Sequence, residues 1–468
     1  MKIAGPFPML LAAALHLAAA AGVLATESAP RESRKPDPPL GRRAADLVKN
    51  AALYLAYKDH PAKAKRAVEI KEELKAMEAY AWKGLARAFN RRCFGRPLPG
   101  RSRRTLREKV DGLEVTYYFD LPRGYTPRKP HPLCIALHGG GAGAGDGAEA
   151  MSSFGRIMGS MGAIAAAPTA PELIDGAWNC PRGFRVVRAL IEEIGAHYNV
   201  DWNRIYVGGH SMGGYGSYFE AIWWPDRFAA CLSSAGGISA GSVGDFEVLY
   251  NTPLFVIHGT EDDRQAPIDY VRAADKAINM LPLKPRFYAF REIPGAGHGF
   301  DAKYRKQAAL KMWKHTRDPY PEKVVCICPN YWDTQAHRRM GTETTGRAFW
   351  VEILGRTGRD FNHPAKVVAE YDKRNNEITV TTPPVQRVKH KGPADLDVQL
   401  TELANTTSRI GICIAEDVFD LSQRVKITCN GRVVFHDFVD RSVDYLLDHL
   451  DRTGDFGMPF SARVEFGP

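Results

Sequence analysis

The stretch around Ser211 constrains the fold more than any other part of this sequence. Residues 205–207 are apolar and β-favouring, residues 209–213 form a Gly-x-Ser-x-Gly motif, and a helical pattern follows. A serine in such a strand-to-helix turn takes a strained backbone conformation, and without Cβ atoms Gly209 and Gly213 let strand and helix approach closely. The turn would lift the Ser211 hydroxyl off the end of a sheet, where helical N–H groups can stabilise an oxyanion. We therefore predict that Ser211 is a nucleophile.

A second glycine-rich loop favours a catalytic role for the turn at Ser211 over a purely structural one. Residues 133–137 are a continuous apolar run, which is typical of a buried parallel strand, and they end in His138 and three glycines, 139–141. Glycines let backbone N–H groups come close to a substrate oxygen. A phosphate-cradling loop is the alternative, but no Gly-Lys-Ser/Thr follows.

Two later loops carry the partners that a nucleophilic serine needs. The apolar run 254–257 leads into His258 and the acids Asp262 and Asp263. A further predicted strand, 286–292, is followed by a Gly-rich loop that contains His298, with Gly295, Gly297 and Gly299 around it. We expect these glycines to give the ring close access to the serine.

These four motifs, in this order, resemble the α/β-hydrolase superfamily, in which the triad follows the chain order Ser, Asp, His. The resemblance covers residues 112–314. Within the superfamily the chain is most similar to secreted esterases of the feruloyl and polyhydroxyalkanoate-depolymerase type, and to the catalytic domains of prolyl-oligopeptidase-like (S9-like) peptidases. It implies an α/β fold in which helices flank a mostly parallel sheet.

The resemblance also implies roles for individual residues. Ser211 would be the nucleophile, His298 the general base, and Asp262 the acid that orients it, with Asp263 as the rival. The backbone N–H of Met212 and one from Gly139 or Gly140 would form the oxyanion hole. Pro267 falls one residue later than in many relatives, which bears on the choice of acid.

The N-terminal part has the pattern of an export signal. Lys2, an apolar run over 9–24 and a small-residue site at Ala25 predict a cleaved signal peptide, residues 1–25. Residues 26–41 are predicted to be a disordered leader and 42–95 a helical hairpin with an apolar stripe. The mature protein is therefore expected to be exported, periplasmic or extracellular, without a transmembrane span.

Positive charge is concentrated in the N-terminal part of the chain. The chain carries a net charge of +10, and residues 31–109 hold 22 basic and nine acidic residues by count. These charges lie on a predicted helix and in the Arg-rich connector 101–104 rather than on a recognisable nucleic-acid-binding fold. A solvated face is favoured, and nucleic acid is not expected as a partner.

After residue 319 the pattern changes to short strands. They predict an all-β, sandwich-like domain, 320–468, after a catalytic domain, 110–317. Asn430-Gly431 indicates a hairpin turn. Trp332, Trp350 and Tyr371 would line either a glycan groove or the core, and the core is favoured. We hypothesise that this domain holds substrate or a partner.

The eight cysteines permit disulfides in an exported chain. Cys413 and Cys429 could pair, because both lie in predicted strands of one domain. Cys326 and Cys328 share a strand face, but no His or Cys stands near them at metal-ligand spacing. No metal or cofactor is expected.

Together these patterns predict an exported serine hydrolase that cleaves carboxylic esters of small molecules or polymers, with acyl or feruloyl esters on polysaccharide preferred. A peptidase is the enzyme alternative, and a binding protein on an inactive hydrolase scaffold is the other. The walls of the pocket are expected from loops 173–180 and 239–245. The oligomeric state does not follow from the sequence.

Overall fold

The computed structural model describes residues 64–76, 102–106, 109–140, 145–171, 177–238, 240–263, 267–328, 346–358, 363–392 and 396–468. The predicted signal peptide, leader and most of the helical hairpin lie outside the described residues, as do Gly141 and Trp332. Within 64–76 the chain is helical, and Ala67 and Ile70 are buried. No helix in the described ranges is long and apolar enough to cross a membrane.

An eight-stranded sheet organises the first part of the chain. Its strands are β1 Ser102–Thr105, β2 Thr116–Asp120, β3 His131–Leu137, β4 Ile164–Pro168, β5 Val200–His210, β6 Ala230–Ser234, β7 Leu254–Gly259 and β8 Tyr288–Ile293. The order is β1-β2-β4-β3-β5-β6-β7-β8, in which β3 to β8 are parallel and β1 and β2 antiparallel. This mostly parallel sheet, with the Ser211 turn directly after β5, has the arrangement expected of an α/β-hydrolase.

The parallel strands form because their residues are apolar on both faces. All residues of β3, β4, β6 and β7 are buried, so helices must cover both sides of the sheet. At the antiparallel edge of the sheet, β1 pairs with β2 on its outer side. The Arg-rich connector, which was not predicted to be a strand, therefore forms this edge.

Helices follow most of the parallel strands. In chain order, and including the helix before the sheet, they are α1 Ala64–Ala76, α2 Gly147–Ala150, α3 Arg156–Ser160, α4 Pro181–His197, α5 Met212–Trp223, α6 Ile268–Met280 and α7 Ala302–Met312. A π-helical turn, Met151–Gly155, joins α2 to α3. Asp146 caps α2 by accepting hydrogen bonds from the N–H groups of Ala148 and Glu149, which satisfies donors that have no helical partner.

The C-terminal part of the chain is built from β-strands and one helix. These are β9 Lys323–Cys328, β10 Arg347–Ala348, β11 Val351–Arg356, β12 Ala365–Asp372, β13 Glu377–Thr381, β14 Val385–Lys389, β15 Gln399–Leu403, β16 Thr407–Ile414, β17 Val425–Cys429, β18 Arg432–Asp437, α8 Val443–Thr453 and β19 Ala462–Phe466. They form a sheet β10-β11-β16-β19, a sheet β18-β17-β13-β12-β9 and the hairpin β14-β15. The first two sheets contact each other, and Val325, Val351 and Ile412 are buried.

Trp350 belongs to the packing of this part, whereas Tyr371 lies at its surface and also lines a cleft with Lys323 and Glu370. The rings of Trp350 and Tyr371 lie 5.7 Å apart. The Trp350 indole donates to Pro321 O and the Tyr371 hydroxyl donates to Tyr320 O. Trp350 is buried, as the core interpretation expects, whereas Tyr371 is only half-buried.

Buried charges join the end of α5 to the C-terminal part. Asp455 Oδ2 accepts from Arg317 Nη1 and lies 3.6 Å from Arg227 Nη1, and Asp455 Oδ1 accepts from Arg317 Nη2 at 3.2 Å. Asp226 pairs with Arg347 at 3.1 Å. The side chains of Asp226, Arg227, Arg317 and Asp455 are 1% exposed, so water does not screen this cluster. A second buried pair, Glu247 with Lys366, connects the 3-10 segment Ala240–Asn251 to β12 at 2.5 Å.

The expected pairing of Cys413 with Cys429 was wrong. All seven cysteines in the described ranges are free thiols. Cys413 lies in the four-stranded sheet and Cys429 in the five-stranded one, and the Cys413 thiol is instead 3.1 Å from the Tyr445 hydroxyl.

Candidate active site

Ser211 lies in the strained turn that the motif predicts. Its backbone has φ 56° and ψ −120°, a conformation that a non-glycine residue rarely adopts. A Cβ on Gly213 would lie 2.1 Å from Leu137 O, and one on Gly209 would lie 2.4 Å from the same atom. The two glycines are therefore required because β3, β5 and α5 meet here. The Ser211 N–H donates to Ser234 O at 2.8 Å, which fixes the turn to β6.

Ser211, His298 and Asp262 form one continuous chain of hydrogen bonds. His298 Nε2 lies 2.8 Å from Ser211 Oγ, and His298 Nδ1 lies 2.6 Å from Asp262 Oδ2. A carboxylate only accepts, so Nδ1 carries the proton and Nε2 is left to accept the Ser211 hydroxyl. Asp262 is buried, whereas the rival Asp263 is exposed. The structure thus brings together the three residues named from the sequence.

The His298 loop is held against β7 by a glycine that the sequence analysis did not single out. A Cβ on Gly259 would lie 2.3 Å from the carbonyl oxygens of both Ala296 and Gly297. By contrast, nothing lies within 4 Å of a Cβ on Gly299, and the nearest atom to one on Gly297 is 3.9 Å away. The close approach of this loop to β7 is therefore made at Gly259 rather than at Gly297 or Gly299.

A second imidazole also contacts the triad acid. His258 Nε2 lies 3.3 Å from Asp262 Oδ2, and the His258 side chain is fully buried. His258 ends β7 and Asp262 follows four residues later, so the loop folds the acid back onto the strand that precedes it. In the sequence, His258 serves only to locate the acid. Its contact with Asp262 arises only when the loop after β7 folds back onto the strand.

His210 lies on the other side of His298. Its Nδ1 is 3.0 Å from Ser234 Oγ, and its ring centroid is 5.2 Å from that of His298 and 5.5 Å from that of Phe300. Burial, with the nearby positive charge of Arg305 as the next cause, lowers the pKa of His210 to about 3. His210 is therefore neutral at physiological pH, and His298 is the imidazole within hydrogen-bonding distance of Ser211.

The loop after β3 places backbone groups beside the serine. A Cβ on Gly139 would lie 3.4 Å from Ser211 Cβ, and Gly140 has φ +100°, which favours glycine. His138 fixes this loop. Its Nε2 accepts from the Ala170 N–H at 3.0 Å, so its Nδ1 carries the proton and donates to Gly139 O at 2.7 Å. Burial lowers the pKa of His138, which preserves this neutral form.

The donors on both sides of Ser211 are backbone N–H groups. Met212 is the first residue of α5, where N–H groups have no helical partner. Because a trans peptide points its C=O and N–H in opposite directions, the bond from His138 to Gly139 O turns the Gly140 N–H away from His138. Met212 and Gly140 thus suit the stabilisation of a developing negative charge.

In the ranges that the structure describes, no group of three or more His, Cys, Asp and Glu side chains is arranged to hold a metal ion. Of the loops expected to form pocket walls, only 177–180 and 240–245 are described. Residues 240–245 belong to the 3-10 segment.

The chain is similar to several solved hydrolase structures. A thermostable esterase is 24% identical over 46% of this chain and 63% of its own, with a TM-score of 0.39. An S-formylglutathione hydrolase from Agrobacterium tumefaciens is 17% identical over 46% of this chain and 95% of its own, with a TM-score of 0.39. A putative dipeptidyl aminopeptidase IV from Bacteroides ovatus is 16% identical over 46% of this chain and 36% of its own, with a TM-score of 0.40.

The match therefore spans less than two thirds of the esterase and about a third of the aminopeptidase. No protein-family model and no curated protein sequence matches the chain.

Proposed function

We propose that this chain, with its candidate triad at the carboxyl edge of an α/β-hydrolase sheet, is a serine hydrolase of carboxylic esters. The observation that carries the proposal is the continuous hydrogen-bonded chain Ser211–His298–Asp262, at 2.8 and 2.6 Å. Each residue comes from a different loop at the same edge of the sheet, and a structural role alone would not require all three.

In the proposed reaction, His298 Nε2 takes the hydroxyl proton as Ser211 Oγ attacks the ester carbonyl. Asp262 stabilises the imidazolium that forms, and the N–H groups of Met212 and Gly140 stabilise the oxyanion. The tetrahedral intermediate collapses as His298 returns the proton to the leaving alcohol, which gives an acyl-serine. Water, deprotonated by His298, attacks the acyl-serine and releases the acid.

For the natural substrate, we propose an acyl or feruloyl ester carried by a polysaccharide. The predicted export signal and the β-rich part of the chain suit work on a polymer outside the cell. Export itself is a proposal, and sequencing the N-terminus of the mature protein tests it, since cleavage after Ala25 would leave Thr26 first.

Fluorophosphonate labelling with peptide mapping tests the mechanism, run beside a panel of p-nitrophenyl esters and a prolyl-peptide amide. We expect modification at Ser211, ester turnover, and loss of both in Ser211→Ala. Turnover of the amide alone would make the protein a peptidase. An unreactive Ser211 in folded protein would favour a binding function.

The acid is tested by a matched pair of variants. Asp262→Asn should reduce kcat by roughly 10⁴-fold, because the asparagine would hold His298 in the wrong tautomer. Asp263→Asn removes the same charge one residue away and should retain activity within about threefold, since surface substitutions usually change little. Equal losses in the two variants would contradict the assignment.

A further inference from the structure

A half-buried arginine near the candidate site has no hydrogen-bonding or ion-pair partner in the described structure. Arg305 lies in the first turn of α7, and its Nε is buried without a hydrogen bond. Its guanidinium carbon is 5.6 Å from the centroid of the Phe300 ring. No hydrogen bond or ion pair joins Arg305 to any other described residue, although burial of an unpaired guanidinium costs free energy.

This guanidinium lies close to the residues around Ser211. The Phe300 ring next to it is 5.5 Å from His210, whose ring is 5.2 Å from His298. After burial, the positive charge of Arg305 is also the largest cause of the lowered pKa of His210. Arg305 therefore stands one aromatic ring away from the histidines of the site.

The helix that carries Arg305 also packs near the segment that contains Glu149. Helix α7 contacts the π-helical turn and α3, and the preceding helix α2 contains Glu149. Glu149 Oε1 lies 3.8 Å from the position of a Cβ on Gly139, which is itself next to Ser211. Glu149 influences Arg305 electrostatically, so the two charges lie near each other across this part of the site.

Neither nearby acid neutralises Arg305 by direct contact. No ion pair within 4 Å joins Arg305 to Glu149 or Asp301 in the described structure, and Asp301 instead caps α7 by accepting from the Lys303 N–H at 2.7 Å. Two fully buried arginines of the described structure, Arg227 and Arg317, are paired with Asp455. Arg305 differs from these two in having no ion pair and in lying next to Phe300, whose ring is 5.5 Å from that of His210.

We propose that Arg305 binds a carboxylate carried by the ester substrate, so that the preferred substrates are esters with an anionic acyl or alcohol part. This proposal rests on the proposed ester hydrolysis. A guanidinium presents a planar fork of donors that matches a carboxylate and supplies two parallel hydrogen bonds. The substrate would thus provide the partner that Arg305 lacks within the protein.

The test compares matched anionic and neutral esters on the full-length protein. On the acyl side the pair is 4-nitrophenyl hydrogen adipate and methyl 4-nitrophenyl adipate. On the alcohol side it is 4-carboxyphenyl acetate and its methyl ester. The measured quantity is the ratio of kcat/KM between the anionic and neutral member of each pair, because a ratio cancels a general loss of folding or of catalytic efficiency.

We expect Arg305→Gln to lower this ratio by about ten- to hundredfold for at least one pair, as for loss of a hydrogen bond to a charged group. Arg305→Lys should lower it less. Lys306→Gln is the matched control, because it removes an exposed positive charge from the next position of the same helix and should leave the ratio unchanged.

An unchanged ratio in Arg305→Gln for both pairs would overturn the inference. If wild-type protein still hydrolyses the neutral esters in that case, the proposed function stands without it. If wild-type protein hydrolyses none of the four esters and Ser211 is not labelled, the proposed function fails, and the role of Arg305 falls with it.

Discussion

Replacing Asp455 by asparagine should destabilise the protein by about 3–5 kcal/mol, the usual cost of removing one partner of a buried ion pair. Asp455 and the arginines it contacts, Arg227 and Arg317, are each 1% exposed. Asparagine keeps the shape of the side chain but removes the charge. Three arginines, including Arg347, would then share the single negative charge of Asp226 without access to water.

The expected change in melting temperature follows from chain size. The compact unit spans residues 37–468, about 430 residues. At about 2.1 cal/mol/K per residue its unfolding entropy is about 0.9 kcal/mol/K, so 3–5 kcal/mol corresponds to a fall in Tm of roughly 3–6 °C. Differential scanning calorimetry at pH 7 measures it.

Asp437→Asn is the matched control. Asp437 pairs with Arg424 at 3.0 Å, but their side chains are 42% and 35% exposed, and such surface pairs contribute about 0–1 kcal/mol. Its Tm should fall by about 1 °C or less. If Asp455→Asn produced no larger fall than Asp437→Asn, the cluster would not have the stabilising role inferred from its burial.

The contribution of Asp455 should also depend on pH in a defined direction. Burial acts to raise its pKa, but the charges of Arg317 and Arg227 outweigh burial and hold the pKa of Asp455 well below its usual range. A lowered carboxyl pKa stabilises the folded state above the unfolded-state pKa of about 3.9 and loses this effect as pH falls below it. The difference in Tm between wild type and Asp455→Asn should therefore be full at pH 7 and shrink below about pH 4.

Three further outcomes are expected. Gly213→Ala should abolish fluorophosphonate labelling and soluble expression, because its Cβ would lie 2.1 Å from the backbone oxygen of Leu137; labelled, folded variant would contradict this. His258→Gln should lower kcat about tenfold, through the weakened hold on Asp262, and a wild-type pH–rate profile with unchanged kcat would refute a positioning role. Burial raises the pKa of Glu220, so the stabilising effect of its protonated form is full below about pH 4.5 and is lost as pH rises. We therefore expect Glu220→Gln to flatten the fall of Tm between pH 5 and 8. Parallel Tm curves for wild type and variant would argue against this role of Glu220.

The same cluster bears on how the C-terminal part can be studied. Truncation at Arg317 would remove Asp455 and leave Arg227 and Asp226 without their partners. Loss of polymer binding in such a protein would reflect damage at the end of α5 as well as the missing strands. Substitutions on the outer face of the five-stranded sheet are the better test of substrate binding there.

Local patterns were sufficient for elements whose residues are apolar throughout or strongly periodic. The apolar runs 133–137 and 254–257 lie within β3 and β7. Strand β1 could not be found in this way, because Ser-Arg-Arg-Thr has no apolar residue and is a strand only through its pairing with β2. Helix α2 was missed although Asp146 and Glu149 gave a capping signal.

At the site, the order of motifs along the chain predicted the residues that directly follow strands. It did not predict the residues that tertiary packing brings to the site. Ser211, Asp262 and His298 each come after a parallel strand, and the carboxyl ends of parallel strands share one edge of a sheet. That His258 also reaches Asp262, and that Arg305 approaches His210 through Phe300, depends on how the loops fold over this edge. No spacing along the chain encodes those contacts.

The buried free thiols offer a direct measure of the order in which the sheets unfold. Cys134 and Cys231 lie in the parallel sheet, Cys326 and Cys413 in the two C-terminal sheets, and burial raises the pKa of all four. Only a solvated thiolate reacts with an alkylating reagent, so each rate of alkylation reports the opening of its own sheet. Equal rates for all four would show that the two parts open as one cooperative unit, whereas faster alkylation of Cys326 and Cys413 would show that the C-terminal sheets open first.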